Sequence, residues 1–315
     1  MRWAPLRRVV GASVTAAALV GALFATPASA ASLPVNYDFL SGFLAGFGAP
    51  NTAPPGANPF FCRPSAAHPH PVILVHGTFE NQNDNWQAAA PILANHGYCV
   101  YSFNYGGSGS INGLGKVADS ANQLSSFVDT VRFWTGGNTV DLVGHSQGGM
   151  MPRYYINNLG GASKVDKLIG LAPSNYGTTL DGLVNLGKAL GLLDLANGLL
   201  ANPCAACVDQ EIGSPFLTAL NKTPTVSSVS YTVIESKGDE VVTPYTNAFL
   251  PAAPNVTNIL VNDQCAQDNT DHLEIAADPT AMADMLNALD PAHPVTVPCV
   301  PVNPITGPTG TVPSF

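Results

Sequence analysis

From Pro71 onward, short apolar runs alternate with stretches of helical spacing. "PVILVHG" is fully apolar and ends in a glycine turn, which predicts a buried strand. "WQAAAPILANHG" has helical spacing and a glycine stop, and "YCVYSFNYG" predicts a second strand. From Lys116 to Trp134 the apolar positions Val117, Leu124, Phe127, Val128 and Val131 fall on one helical face. "TVDLVG" predicts a third strand, Gln147 to Asn158 a helix, and "KVDKLIGLAP" a fourth strand. Further strands are expected at Ser228–Ile234 and Val256–Val261, and a helix at Thr280–Leu289. Apolar strands interleaved with helices predict the α/β class, a mostly parallel sheet with helices on both faces.

Three stretches depart from this rhythm. Residues 31–70 are rich in Pro, Ala, Asn and Gly and predict an extended leader. Between two strands, "TTLDGLVNLGKALGLLDLANGLL" is too short and too polar to span a membrane. It predicts a small apolar cap over a site, within about residues 174–215. The tail, 291–315, carries seven prolines and is expected to lie extended over the surface.

The N-terminus reads as a secretory signal. Arg2, Arg7 and Arg8 precede an apolar run from Val9 to Ala25, and "TPASAAS" offers Ala28 and Ala30 as the small positions of a cleavage site after Ala30. The domain organisation expected is therefore 1–30 removed, 31–70 leader, 71–290 catalytic domain and 291–315 tail. Loss of three arginines with the signal takes the formal charge from −9 to −12. That surface repels phosphate backbones and anionic membranes, which excludes nucleic acid as an expected partner. Six cysteines in an exported chain predict three disulfides, with fifteen pairings open.

The chemistry centres on Gly144-His145-Ser146-Gln147-Gly148, a G-x-S-x-G between a strand and a helix. Such a tight turn strains the serine, needs small neighbours and presents the hydroxyl at a helix N-terminus. Ser146 is the expected nucleophile. A serine needs a base, and the base needs an orienting carboxylate. His272, in a loop after a late strand, is the expected base, whereas His293 lies in the proline-rich tail. His145, beside the serine, is expected to pack below the site. "SVSYTVIESKGDEVVTP" offers Glu235, Asp239 and Glu240, and Asp239 best fits the loop after the strand. The oxyanion donors expected are the N–H of Gln147 and that of Thr78, with the Thr78 hydroxyl as a third and Phe79 as the alternative. Asp263, Asp268 and Asp271 crowd the histidine loop and are expected to be solvated, with no metal. "PCAAC" and "HLE" imitate a zinc deaminase signature in the wrong order, so zinc is not expected.

"PVILVHGT...NW", "GHSQGG", "SKGDEVVTP" and "DH" stand in the order seen in secreted bacterial triacylglycerol lipases of the α/β-hydrolase superfamily. The chain resembles the group that includes actinobacterial lipases and the lipase B of Candida antarctica, over roughly Pro71 to Leu289. The resemblance implies an α/β-hydrolase fold and a Ser-Asp-His esterase without cofactor. It makes Ser146 the nucleophile, Asp239 the acid, His272 the base, and Thr78 and Gln147 the oxyanion donors. It suggests the bridges Cys62–Cys99 and Cys265–Cys299, leaving Cys204–Cys207 without counterpart in the fungal enzyme. Substrate length does not transfer with the resemblance; the apolar segment near the site makes an ester with an apolar acyl chain at a lipid–water interface the expected substrate, and a secreted monomer is expected. A polyester hydrolase, short-chain esterase or acyltransferase would use the same residues, and an inactive binding protein is the reading from another class.

Overall fold

The computed structural model describes residues 32–190 and 204–312, together with 1, 2, 4 and 314. The expected signal run and cleavage position, and residues 191–203 of the expected cap, lie outside these. The chain forms two compact units, Met1–Ser32 and Leu33–Phe315, and the architecture that follows is that of the second.

Six strands form the sheet: β1 (Val72–Val75), β2 (Val100–Ser102), β3 (Val140–His145), β4 (Val165–Leu171), β5 (Ser230–Glu235) and β6 (Val256–Leu260). Their order is β2-β1-β3-β4-β5-β6, and every neighbouring pair is parallel. Every residue of β1 and β3 is buried, as in strands covered on both sides; β1 is an unbroken apolar run, whereas β3 also buries Asp141 and His145.

Helix α1 (Phe39–Phe47) precedes the sheet, α2 (Ala89–Asn95) joins β1 to β2, α3 (Val117–Thr135) joins β2 to β3, and α4 (Gln147–Asn158) joins β3 to β4. The path from β1 to β2 moves outward, whereas the path from β2 to β3 passes β1 and moves the other way. With right-handed crossovers, α2 and α3 then lie on opposite faces. Accordingly α3 packs on α4, while α2 packs on a late helix, Pro279–Leu289, that also covers β4 and β5. Between β1 and β3 the strand order reverses. Loops leaving their carboxyl ends diverge there and open a crevice.

Within the expected leader, the described residues 32–70 are not extended throughout, contrary to the sequence expectation. Helix α1 forms because Asp38 accepts the Ser41 N–H at 2.9 Å as an N-cap, and Phe39 and Phe43, one turn apart, enter the core. Gly46 permits close contact with the backbone of Asp84. Between β4 and β5 run α5 (Leu180–Ala189), α6 (Ala205–Asp209) and α7 (Pro215–Leu220). Gly182 of α5 lies against the backbone of Val241, and Leu186 is buried. After β6 come α8 (Val261–Gln264) and the late helix, α9 (Pro279–Leu289). Among its described residues the tail forms a short hairpin, β7 (Val302–Asn303) with β8 (Gly307–Pro308).

Three disulfides are present: Cys62–Cys99, Cys204–Cys207 and Cys265–Cys299. They tie the leader to β2, close the turn before α6, and fasten the tail beyond β6. Three such bonds indicate an oxidising, extracellular compartment. Among the described residues no helix is long and apolar enough to cross a membrane.

Candidate active site

β3 ends at His145 and α4 begins at Gln147, so Ser146 alone makes the turn. Its backbone sits at φ 54° and ψ −122°, a strained conformation for a residue with a side chain. The surroundings enforce it. The Ser146 N–H donates to the Leu171 carbonyl at 2.9 Å, tying the turn to β4. A Cβ at Gly144 would collide with the backbone of Gly148, and one at Gly148 with the carbonyl of Val75. Both glycines are therefore needed for β1, β3 and α4 to approach this closely.

The Ser146 hydroxyl lies 2.9 Å from His272 Nε2, and His272 Nδ1 lies 2.8 Å from Asp239 Oδ2. The three side chains come from the loops after β3, β6 and β5 respectively, all at the carboxyl edge of the sheet. An Nδ1–H donated to the carboxylate leaves Nε2 free to accept the serine proton. Asp239 is held by its other oxygen, which accepts the N–H groups of Val241 and Val242 at 2.7 Å each. Burial disfavours the imidazolium of His272, but the charge and hydrogen bond of Asp239, with Glu240 and Glu80 further off, outweigh it. The His272 pKa is therefore raised above the ordinary histidine value.

His145 lies under the site. Its Nε2 is 2.8 Å from the His272 carbonyl, and its Nδ1 is 3.0 Å from Asn85 Nδ2 and 3.2 Å from Glu80 Oε2. The same Glu80 oxygen accepts the Gly77 N–H at 2.7 Å. One buried carboxylate thus braces both the loop carrying Thr78 and, through His145, the loop carrying His272.

The loop after β1 brings Thr78 against Gln147, the residue next to Ser146. Gln147 opens α4, where its N–H has no acceptor within the helix. Among the described residues the Thr78 N–H has no partner, whereas the Phe79 N–H is committed to the Asn112 carbonyl at 3.0 Å. That excludes Phe79 as the alternative donor. The Thr78 hydroxyl oxygen accepts from Gln147 Nε2 at 2.8 Å and from Gln210 Nε2 at 2.9 Å. With its acceptor sites filled, the hydroxyl keeps its own proton to donate. Ser174 Oγ donates to Gln210 Oε1 at 2.8 Å, and the Gly113 carbonyl accepts from Gln147 Nε2 at 2.8 Å, fixing the orientation of both amides.

The remaining candidates stand apart from this arrangement. His293 is exposed and pairs with Asp290. Glu235 is fully buried beside Asp239, and burial followed by that neighbouring charge holds its carboxyl well above the usual range. Glu240 is part-buried and makes no hydrogen bond to His272. Of the loop aspartates only Asp263 is solvated, a correction to the sequence expectation. Asp268 is fully buried, binding the Thr270 N–H at 3.0 Å and the Thr280 hydroxyl at 3.0 Å, and Asp271 caps the turn at Glu274 at 2.8 Å. They brace the histidine loop from within. The deaminase-like cysteines are bonded to each other. Gln210, Glu80, Asn85 and Ser174 had not been expected at the site. No local spacing marks them, because their contacts cross 60 to 132 residues of chain or rest on a partner that does.

The sequence profile of the lipases of class 2 matches residues 69–283, about two thirds of the chain. The chain belongs to the class 2 lipase family. Within this class 2 lipase, a stretch of 94 residues is 40% identical to a triacylglycerol lipase of Pseudarthrobacter phenanthrenivorans, covering 28% of each chain. A triacylglycerol lipase of Burkholderia plantarii is 40% identical over 94 residues, 28% of this chain and 25% of that one. The alignments thus span little more than a quarter of these relatives' lengths. Aspergillus fumigatus lipase B superposes with a TM-score of 0.58 at 18% identity, over 80% of this chain and 65% of that one. That likeness, with the parallel sheet and its helices, makes the fold an α/β-hydrolase fold.

Proposed function

We propose that this class 2 lipase hydrolyses carboxylic esters, acylglycerols in particular, through an acyl-enzyme on Ser146. The observation that carries this reading is the unbroken hydrogen-bonded chain from Ser146 through His272 to Asp239, starting at a strained turn at the sheet's carboxyl edge. His272 Nε2 takes the hydroxyl proton as Oγ attacks the ester carbonyl. Negative charge develops on the carbonyl oxygen, which is met by the N–H groups of Thr78 and Gln147 and by the Thr78 hydroxyl. The tetrahedral intermediate collapses and expels the alcohol, which receives its proton from His272. Water then attacks the acyl-enzyme by the same route in reverse. Asp239 holds the ring orientation and stabilises the imidazolium between these steps.

An apolar acyl group is favoured by the surface around the oxyanion loop. Gln210, which reaches Thr78, is flanked by exposed Val208 and Ile212, and α5 borders the loop that carries Asp239. The described part of the expected cap, with α5 and α6, then covers the site. The chain is exported through the signal segment ending at Ala30, a reading the three disulfides support. The test is release of p-nitrophenol from esters of increasing chain length by the mature chain and by Ser146→Ala. Cleavage extending to long acyl chains and lost in Ser146→Ala is expected. Cleavage limited to acetate and butyrate would refute the acylglycerol assignment, and activity surviving in Ser146→Ala would refute the mechanism.

A further inference from the structure

At the opposite edge of the sheet, three metal-ligating side chains converge. His70 lies just before β1, Asp141 is the second residue of β3, and Asp166 is the second residue of β4. The catalytic loops leave the carboxyl ends of the strands, so this cluster is separated from them by the length of the sheet. His70 Nδ1 lies 3.6 Å from Asp141 Oδ1 and 3.4 Å from Asp166 Oδ2, and all three ligand atoms lie within 4.8 Å of one another.

These separations are too long for good hydrogen bonds. The two separations from His70 fit another geometry, while the two carboxylates, within 4.8 Å, must close slightly to share an ion. Metal–nitrogen and metal–oxygen bonds of about 2.0–2.1 Å in a tetrahedron put neighbouring ligand atoms about 3.3 Å apart. Asp141 adds an independent indication. Its side chain is 4% exposed, and among the described residues its Oδ1, aimed at the cluster with the His70 ring nitrogen 3.6 Å away, has no hydrogen-bond partner. Leaving a buried carboxylate oxygen unpartnered is costly unless something else neutralises it. A hollow of about 340 Å³, lined by His68, His70, Asp141, Lys167 and Asp290 among others, opens beside the cluster. It gives an ion an approach and room for a water as fourth ligand.

We propose that His70, Asp141 and Asp166 form a binding site for a first-row divalent cation of the zinc class. One imidazole with two carboxylates suits zinc or cobalt better than calcium or magnesium, which prefer all-oxygen shells. Bound there, the ion ties the segment entering the sheet to the starts of β3 and β4, and so stabilises the fold without touching the ester chemistry. One competitor is present. Lys167 Nζ bonds Asp166 Oδ2 at 2.8 Å, on the oxygen that also faces His70. The ion must displace this ammonium, so the lysine weakens the site.

The experiment uses the full mature chain, stripped with a chelator and titrated calorimetrically with Zn2+, with Co2+ absorption reporting the coordination geometry. The expected result is a site with a tetrahedral Co2+ spectrum and a zinc-dependent rise in thermal midpoint. Both are lost in His70→Ala and in Asp166→Asn, and kept in His68→Ala and His293→Ala. Lys167→Gln should bind zinc more tightly than the parent chain, an effect a plain salt-bridge cluster does not produce. His70 and Asp166 are both partly exposed, and an unchanged metal-free thermal midpoint in those variants separates lost binding from lost folding. Absence of zinc binding in the parent chain, binding that persists in both ligand variants, or binding that needs only His68 or His293 would overturn the proposal.

Discussion

At the scale of single residues, the oxyanion site is where geometry makes the sharpest demand. Thr78 Oγ1 accepts two amide hydrogens and so must donate its own. Thr78→Val keeps the backbone N–H and the side-chain volume but removes that donor. A fall in kcat of about 10²-fold, with KM little changed, is expected from steady-state kinetics. The base gives a second prediction. His272 must be neutral to accept the serine proton, so activity falls as pH drops through its pKa. Because Asp239 outweighs burial and raises that pKa, the acid limb of kcat/KM should lie above the ordinary histidine value of about 6.5. Asp239→Asn should move the limb to lower pH and cut the rate by about 10⁴-fold, since the amide no longer selects the productive tautomer. A pH–rate profile of both proteins checks the sign. Ser146, Asp239 and His272 were legible because each follows a recognisable strand and keeps the chain order of a hydrolase. Gln210 and Glu80 were not, because a hydrogen bond across 132 or 65 residues leaves no trace in local spacing.

At the scale of elements, legibility followed the strength of the periodic signal. Helix α4 spans the residues its glycines and polar spacing predict; β1, β2, β4 and β6 fall within their predicted runs, and β3 and β5 extend one residue beyond theirs, to His145 and Glu235. Helix α1 was missed because Pro, Ala, Asn and Gly around it suggest an extended segment. Its own signal is short: an aspartate cap followed by Phe39, Phe43 and Phe47 at four-residue spacing. That helix matters to the site. Glu274 Oε2, two residues beyond His272, accepts the Phe39 N–H at 3.1 Å, so the leader helix is pinned to the loop that carries the base. The turn at Ser146 shows the converse, where a local rule is broken for function. A serine at positive φ opposes its own conformational preference, and only Gly144 and Gly148 make room for it.

At the scale of the whole molecule, the buried carboxyl groups set how stability responds to pH. Burial first, then nearby Asp278 and Asp271, push the Glu274 pKa up to about 10, and burial also raises Asp84, Glu235 and Asp278. A carboxyl whose folded pKa exceeds its unfolded value favours folding fully below the unfolded value. That contribution is lost as pH rises through the folded one. The thermal midpoint should therefore fall between about pH 5 and pH 9, and Glu274→Gln, neutral throughout, should flatten that slope. A steeper slope in Glu274→Gln would contradict the protonated state assigned to Glu274. The same parallel sheet that buries these groups gathers the loops after β1, β3, β5 and β6 at one edge, and the proposed chemistry depends on that gathering. The most direct measurement of it is covalent labelling of the folded mature chain by a fluorophosphonate, mapped by peptide mass spectrometry. A single adduct on Ser146, abolished by prior denaturation and greatly slowed in His272→Ala, is the result predicted. No adduct on Ser146, or an adduct on another residue, would contradict the account.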